Sequence, residues 1–217
     1  MRYLCMQKTY TMSEEFFHED ERFDDELEQM CIVAETLSRD IAEQLADLYT
    51  LKGAGFINML KDIAQNSAFS PLEGESNIYI TSAKKDHDYD NLLNAARKAV
   101  DHGYKVYILP NPKDIRTADF IFERKGIYKM FDLKTIHGTS IVGSRLIESI
   151  GQTNRVILNM TTGYNTRLMA ADVRMYFETN SEALEVLIFK GKKMISIERF
   201  DALHPSFYRL FKKRYEK

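Results

Sequence analysis

Two apolar runs around a short basic turn constrain this chain most, because together they predict an antiparallel β-hairpin. The runs are residues 118–122 and 127–133, and the turn is residues 124–126. The glycine in that turn readily takes the positive φ that a tight hairpin needs. With the turn centred just before the glycine, Asp119 lies directly opposite Asp132.

The two opposed aspartates predict a site for a cation. Opposed hairpin residues share one sheet face with Cβ atoms roughly 4.5–5.5 Å apart, and Lys134, two residues beyond Asp132, falls on the same face. Carboxylates this close repel each other when ionised. A hard dication such as Mg²⁺ takes one or two carboxylates with waters and phosphate oxygens, and a lysine beside it stabilises charge on an attacked phosphate. A solvated strand face with an incidental ion pair is the alternative.

Charge is distributed unevenly along the 217 residues. Residues 1–50 carry 4 Lys+Arg against 13 Asp+Glu, whereas residues 181–217 carry 9 against 5. A basic end suits an anionic substrate, although solvated helix faces give the same pattern. The two cysteines, Cys5 and Cys31, form no zinc-type pair, and no apolar run is long enough for a membrane span. We therefore expect a cytoplasmic protein without membrane insertion.

The spacing of apolar residues divides the chain into two parts. Residues 13–66 show helical spacing, and the Pro- and Gly-containing stretch 66–76 reads as a boundary. This pattern predicts an acidic helical extension over residues 1–70, which also offers a surface for homo-oligomer formation. From residue 78 onward short strands alternate with helices, so residues 71–217 are expected to form an α/β domain, a mixed β-sheet flanked by helices.

The order of elements over residues 91–160 is helix, strand, hairpin, helix and strand. With Asp on the first hairpin strand and Asp-Leu-Lys on the second, this order resembles the PD-(D/E)xK nuclease core. The stretch 151–158, Gly-Gln-Thr-Asn-Arg-Val-Ile-Leu, is similar to the tRNA-cleaving C-terminal toxin domains of the CdiA proteins of contact-dependent growth inhibition. The similarity covers about residues 88–200.

The resemblance implies roles for four residues. By this resemblance Asp119 and Asp132 are metal ligands and Lys134 is the lysine that stabilises developing charge. Gln152 is an accessory polar group near the scissile phosphate. The resemblance also implies Mg²⁺ or another divalent cation as cofactor, structured RNA as substrate, and an immunity protein or another element-encoded protein as partner. The same resemblance implies a bacterial protein that acts in a target cell when it is delivered as part of a toxin system.

One position departs from the family pattern. The family commonly has a glutamate on the helix before the first hairpin strand, whereas the matching region here offers Asn91 or Asn94. Asp88 and Asp90 lie just upstream as substitutes. The number of metal ions therefore stays open.

Three further positions or groups are candidates for substrate binding. His137, just past the second hairpin strand, is a base, a phosphate contact or a loop residue without a role. Arg145 is a phosphate clamp or a partner of Glu148. The third group is a basic run near the C-terminus that could bind RNA backbone beside base-stacking aromatic residues, or simply form a solvated helix face: Lys212, Lys213 and Arg214, with Phe207, Tyr208 and Tyr215.

These observations predict a metal-dependent endonuclease that cleaves RNA. The alternatives are a DNA endonuclease of the same fold, a non-catalytic interaction module of a phage or mobile element, and a metal-independent ribonuclease that uses His137. No phosphate-binding P-loop, dinucleotide-binding glycine motif, hydrolase nucleophile elbow or HExxH zinc motif occurs in the sequence.

Overall fold

The computed structural model describes residues 41–82, 88–111, 117–138 and 141–216. The helices are α1 (residues 41–48), α2 (Gly53–Ala64), α3 (Tyr89–Asp101), α4 (Val142–Glu148), α5 (Thr166–Thr179), α6 (Arg199–Leu203) and α7 (Phe207–Glu216). The strands are β1 (Ser70–Leu72), β2 (Glu75–Ile80), β3 (Lys105–Ile108), β4 (Phe120–Arg124), β5 (Ile127–Ile136), β6 (Arg155–Met160), β7 (Glu185–Lys190) and β8 (Lys193–Glu198).

The strands form one mixed sheet in the order in which they occur along the chain. The pairs β2–β3, β5–β6 and β6–β7 are parallel, and the other neighbours are antiparallel. Each parallel pair is joined through a helix, as a parallel connection requires. The predicted α/β class, a mixed sheet flanked by helices, is confirmed.

The strand β5 pairs with a different neighbour along each half of its length. Its first half, residues 127–131, pairs with β4, and its second half, residues 132–136, pairs with β6. Asp132 is the residue at which β5 exchanges one neighbour for the other. The turn between β4 and β5 has positive φ at Lys125 and Gly126, as a two-residue hairpin turn requires.

Because side chains alternate along β5, its two faces contact different helices. Phe131 packs with α3 on one face. Met130 and Ile136 point to the other face, where Met130 packs with α1 and α2 and Ile136 packs with α4, α5 and α7. That second face therefore carries two helical groups side by side, and β5 runs beneath the place where they meet.

Two elements differ from the sequence expectation. The stretch expected to be a boundary loop contains the β1–β2 hairpin, in which Pro71 is tolerated because β1 is an edge strand. The short helix α6 was not predicted, because its five residues are too few to show helical spacing. None of the helices within the described ranges is long and apolar enough to cross a membrane.

The helices α1 and α2 share a buried cluster with the sheet. Ile41, Leu45 and Leu48 are fully buried together with Ile121 and Met130. Residues 1–40 of the expected extension, which include most of its acidic side chains, lie outside the described residues. The division at residue 70 stays a prediction, as does a homo-oligomer through the N-terminal helices.

Replacing Leu45 by alanine tests whether α1 is part of the core. Because Leu45 is fully buried against the sheet, we expect Leu45→Ala to lower the free energy of unfolding by about 2–5 kcal/mol. Ile57→Ala, at a side chain that is 48% exposed on α2, is the matched control and should change it by less than about 0.5 kcal/mol. Equal, small effects in urea denaturation would show that α1 contributes little to the core.

Candidate active site

The hairpin brings the two aspartates together at the point where its regular register ends. Phe120 pairs with Phe131, but the Asp119 N–H donates to the Phe131 carbonyl at 3.0 Å, one residue short of the Asp132 position that the register would give it. The regular pairing of Asp119 with Asp132 that the hairpin symmetry predicts is therefore not formed, although the Asp132 carboxyl is a side-chain hydrogen-bond neighbour of Asp119. Asp119 is half-buried, whereas Asp132 is 1% exposed.

The Asp119 carboxylate is tied to the partner strand. Its Oδ2 accepts a hydrogen bond from the Leu133 N–H at 2.6 Å. Leu133 directly follows Asp132, so this bond fixes the position of one carboxylate relative to the backbone that carries the other. A carboxylate that accepts from a backbone N–H is held more tightly than one in water.

Lys134 and Asp132 form a buried ion pair. The Lys134 Nζ lies 2.8 Å from Oδ2 and 3.1 Å from Oδ1 of Asp132. The lysine side chain is 15% exposed and the aspartate side chain 2% exposed, so water screens the pair weakly. Asp119, Asp132 and Lys134 thus come together, as predicted.

Two carboxylates against one ammonium leave an excess negative charge in this pocket. Burial, followed by the negative charge of Asp132, raises the pKa of Asp119 from 3.8 to about 7, although the Leu133 N–H and Lys134 act in the opposite direction. Either a proton or a bound cation relieves such a charge. The site therefore suits a bound cation.

The donor set fits Mg²⁺ better than a transition metal. Asp119 and Asp132 offer carboxylate oxygens only, and the described ranges contain no group of three or more His, Cys, Asp or Glu residues placed to hold a metal. Mg²⁺ binds through one or two carboxylates, keeps several waters and takes further oxygens from a phosphate. Zn²⁺ sites instead need three or four protein ligands.

The pair lies on the face that carries two helical groups. Asp132 and Lys134 stand between Met130 and Ile136 on this face, beneath the junction of α1–α2 with α4–α5. The hydroxyl of Tyr49, just past α1, accepts from the Ala118 N–H at 2.9 Å. Sequence reasoning missed Tyr49, because nothing in its local pattern connects it with a strand 69 residues later.

The helix α3 lies on the opposite face of the sheet. Asn94 accepts from Asn159 Nδ2 at 3.1 Å, and Lys98 donates to Asn159 Oδ1 at 2.6 Å. Asn159 alternates with Leu158, which pairs with Lys134, so its side chain points away from the aspartates. Asn94 therefore lies on the face of the sheet opposite the aspartates, and Asn91, on the same helix, donates to Asp88 at 3.3 Å.

Three other predicted residues lie on or near the ends of β5 and α4. The Nδ1 of His137, which is exposed, lies 3.0 Å from Thr161 Oγ1. Arg145 donates to Glu148 at 2.8 Å in an exposed pair. The Gln152 amide donates to the Glu148 carbonyl at 3.5 Å, the limit of a hydrogen bond.

The basic run of α7 lies far from the aspartates. Lys213 and Arg214 line a groove of about 790 Å³ beside the edge strand β8, which is three strands from β5, about 14 Å away at the usual strand spacing. Lys212 lies 3.9 Å from Glu216. Phe207 and Tyr215 are buried, so the expectation that they stack a base is wrong, and only Tyr208, at 43% exposure, remains available among the three aromatic residues.

The raised pKa of Asp119 predicts how stability changes with pH in metal-free protein. Because the folded-state value of about 7 exceeds the ordinary 3.8, the folded state binds more protons between these values, and this group's contribution to stability falls as pH rises from about 4 to 7. Asp119→Asn removes that loss. We expect the variant to gain stability over wild type as pH rises, by on the order of a few kcal/mol at pH 8.

Chemical denaturation at pH 5 and pH 8 with EDTA present measures the difference between variant and wild type. Asp101→Asn, at an exposed aspartate near the end of α3, is the control and should show the same small difference at both pH values. A variant that is equally stable relative to wild type at both pH values would show that Asp119 is ionised throughout.

No family model matches the chain, and no curated protein matches its sequence. Among solved structures it is similar to the CdiA-CT/CdiI toxin and immunity complex from Burkholderia pseudomallei, at 11% identity and a TM-score of 0.38. That match covers 56% of this chain and 98% of the other. At this level of likeness, an activity has to be argued from the side chains of the site.

Proposed function

We propose that Asp119, Asp132 and Lys134 form the active site of a phosphodiesterase that cleaves a nucleic acid with the help of a divalent cation. The observation that supports this function most is the proximity of two carboxylates, one just before β4 and one on β5, with a lysine ion-paired to one of them. Their excess negative charge suits a dication, and a dication in turn suits a phosphate.

Each side chain has a distinct task in this proposal. Asp119 and Asp132 hold the cation, which requires Asp119 to lose the proton that its raised pKa favours. When bound, Mg²⁺ supplies a more acidic water and neutralises phosphate charge. Lys134, anchored on Asp132, presents its remaining N–H groups to a phosphate oxygen and stabilises negative charge there as it develops.

The preference for RNA rests on the sequence resemblance to tRNA-cleaving toxin domains. With it come the proposals of a toxin role and of an immunity protein as partner. Gln152, His137 and Arg145 are proposed to contact the substrate near the site. The cations of α7, Lys212, Lys213 and Arg214, are proposed to contact its backbone further away.

A non-catalytic interaction module is the second candidate. Two observations support this alternative. The helix α3 packs on the opposite face and so brings no acidic side chain to the aspartates. In addition, no group of three acidic, His or Cys ligands occurs in the described part of the chain. In this candidate the Asp132–Lys134 pair stabilises the fold alone.

A cleavage assay separates the two candidates. We expect purified protein to cut total RNA into discrete fragments when Mg²⁺ is present. In EDTA we expect no cleavage. Asp119→Ala, Asp132→Ala and Lys134→Ala should each slow cleavage by at least about 10²–10³-fold, because each removes charge stabilisation that acts in the transition state. Asp101→Ala and Lys105→Ala, at exposed positions on α3 and β3, are charge-matched controls that should cleave like wild type.

The other outcomes each support a different alternative. Cleavage of DNA in preference to RNA would support the DNA endonuclease. Cleavage that persists in EDTA and fails in His137→Ala would support the metal-independent ribonuclease. A folded wild-type protein that cuts neither nucleic acid would refute the proposed activity and leave the non-catalytic module.

A further inference from the structure

Tyr49 reaches from the end of α1 to the backbone that leads into Asp119. Its phenol oxygen accepts from the Ala118 N–H at 2.9 Å. The regular ladder ends nearby, where Asp119 donates to Phe131 and its carbonyl accepts from Leu109. Ala118 is 2% exposed, so its N–H needs a partner within the protein. The Tyr49 hydroxyl supplies it.

The hydroxyl of Tyr49, and not its ring, carries this contact. Tyr49 as a whole is 37% exposed, whereas the apolar packing of α1 on the sheet comes from the fully buried Ile41, Leu45 and Leu48. The contribution of Tyr49 to the strand is therefore its hydrogen bond to Ala118.

Both carboxylates also act electrostatically on the Tyr49 hydroxyl. Burial, together with the charges of Asp132 and Asp119, raises the pKa of Tyr49 to about 12 despite the bond from Ala118. The group is therefore a neutral phenol at physiological pH. Because its oxygen accepts from Ala118, its proton remains able to donate to another acceptor.

We propose that Tyr49 is a positioning residue of the Asp119–Asp132 site, acting through Ala118. Its bond to the Ala118 N–H holds the peptide before Asp119, so that the Asp119 carboxylate stays directed at Asp132 and the cation. This inference rests on the proposed function and extends it, because it makes the end of α1 a part of the site.

Tyr49→Phe tests the inference, since it keeps the ring and removes the oxygen. We expect Mn²⁺ affinity, measured by the EPR signal of free Mn²⁺, to fall by about 10–100-fold, as is typical when a group supporting a metal ligand is lost. The kcat for RNA cleavage should fall by a similar factor, with KM nearly unchanged, because the substrate still meets the same surface. Hydrogen exchange at the Ala118 amide should accelerate.

Tyr79→Phe is the matched control. Tyr79 packs against the same helical cluster and stacks on Tyr107 at 4.8 Å between ring centroids. Its ring contacts Tyr107 of β3, whereas Tyr49 contacts the segment that leads into Asp119. This variant should bind Mn²⁺ and cleave like wild type.

Asp119→Asn distinguishes failure of this inference from failure of the proposed function. If wild type binds Mn²⁺, Asp119→Asn does not, and Tyr49→Phe binds like wild type, then the site stands and Tyr49 is not a positioning residue. If Tyr49→Phe accelerates exchange at Ala118 without weakening Mn²⁺ binding, its role is structural and the inference is overturned. If wild type itself binds no Mn²⁺, the proposed function and the role of Tyr49 in it fail together.

Discussion

The register of β4 against β5 is the constraint on which the rest of the site depends. Side chains alternate along a strand, so a slip of one residue would carry Asp132 and Lys134 to the face covered by α3. Burial prevents this slip, because Phe120 and Phe131 pack beneath α3 and Met130 packs beneath α1 and α2. Hydrophobic packing thus stabilises a pair of like charges that electrostatics alone would separate.

The location of the pair follows from the way β5 changes partners. It leaves β4 at Phe131 and joins β6 at Asp132, so the carboxylates lie where an antiparallel half of the sheet meets a parallel half. Each half carries its own helices on the same face, and the aspartates lie beneath the junction between these helices. Lys134 neutralises one of the two buried negative charges. The raised pKa of Asp119 reflects the negative charge that is not neutralised, together with burial.

The local features of the site could be predicted from the sequence, but its long-range features could not. The proximity of Asp119 and Asp132 follows from the hairpin, and the position of Lys134 beside Asp132 follows from the period of two along a strand. The irregular hydrogen bond of Asp119 at the end of the ladder does not follow from either. The face on which α3 packs depends on how the chain crosses the sheet, which periodicity within the helix does not show. Tyr49 meets Ala118 across 69 residues for the same reason. One signal was available and missed: the aromatic residues at 207, 211 and 215 recur every fourth residue, which indicates a buried helix stripe.

Diffraction from crystals grown with Mn²⁺ tests the central claim most directly, because anomalous scattering locates the ion without reference to activity. The account predicts one anomalous peak between Asp119 and Asp132, with oxygens of both carboxylates about 2.1 Å from the ion and Lys134 still beside Asp132. A structure that shows no peak there would contradict a cation site and leave the pair as part of the fold alone.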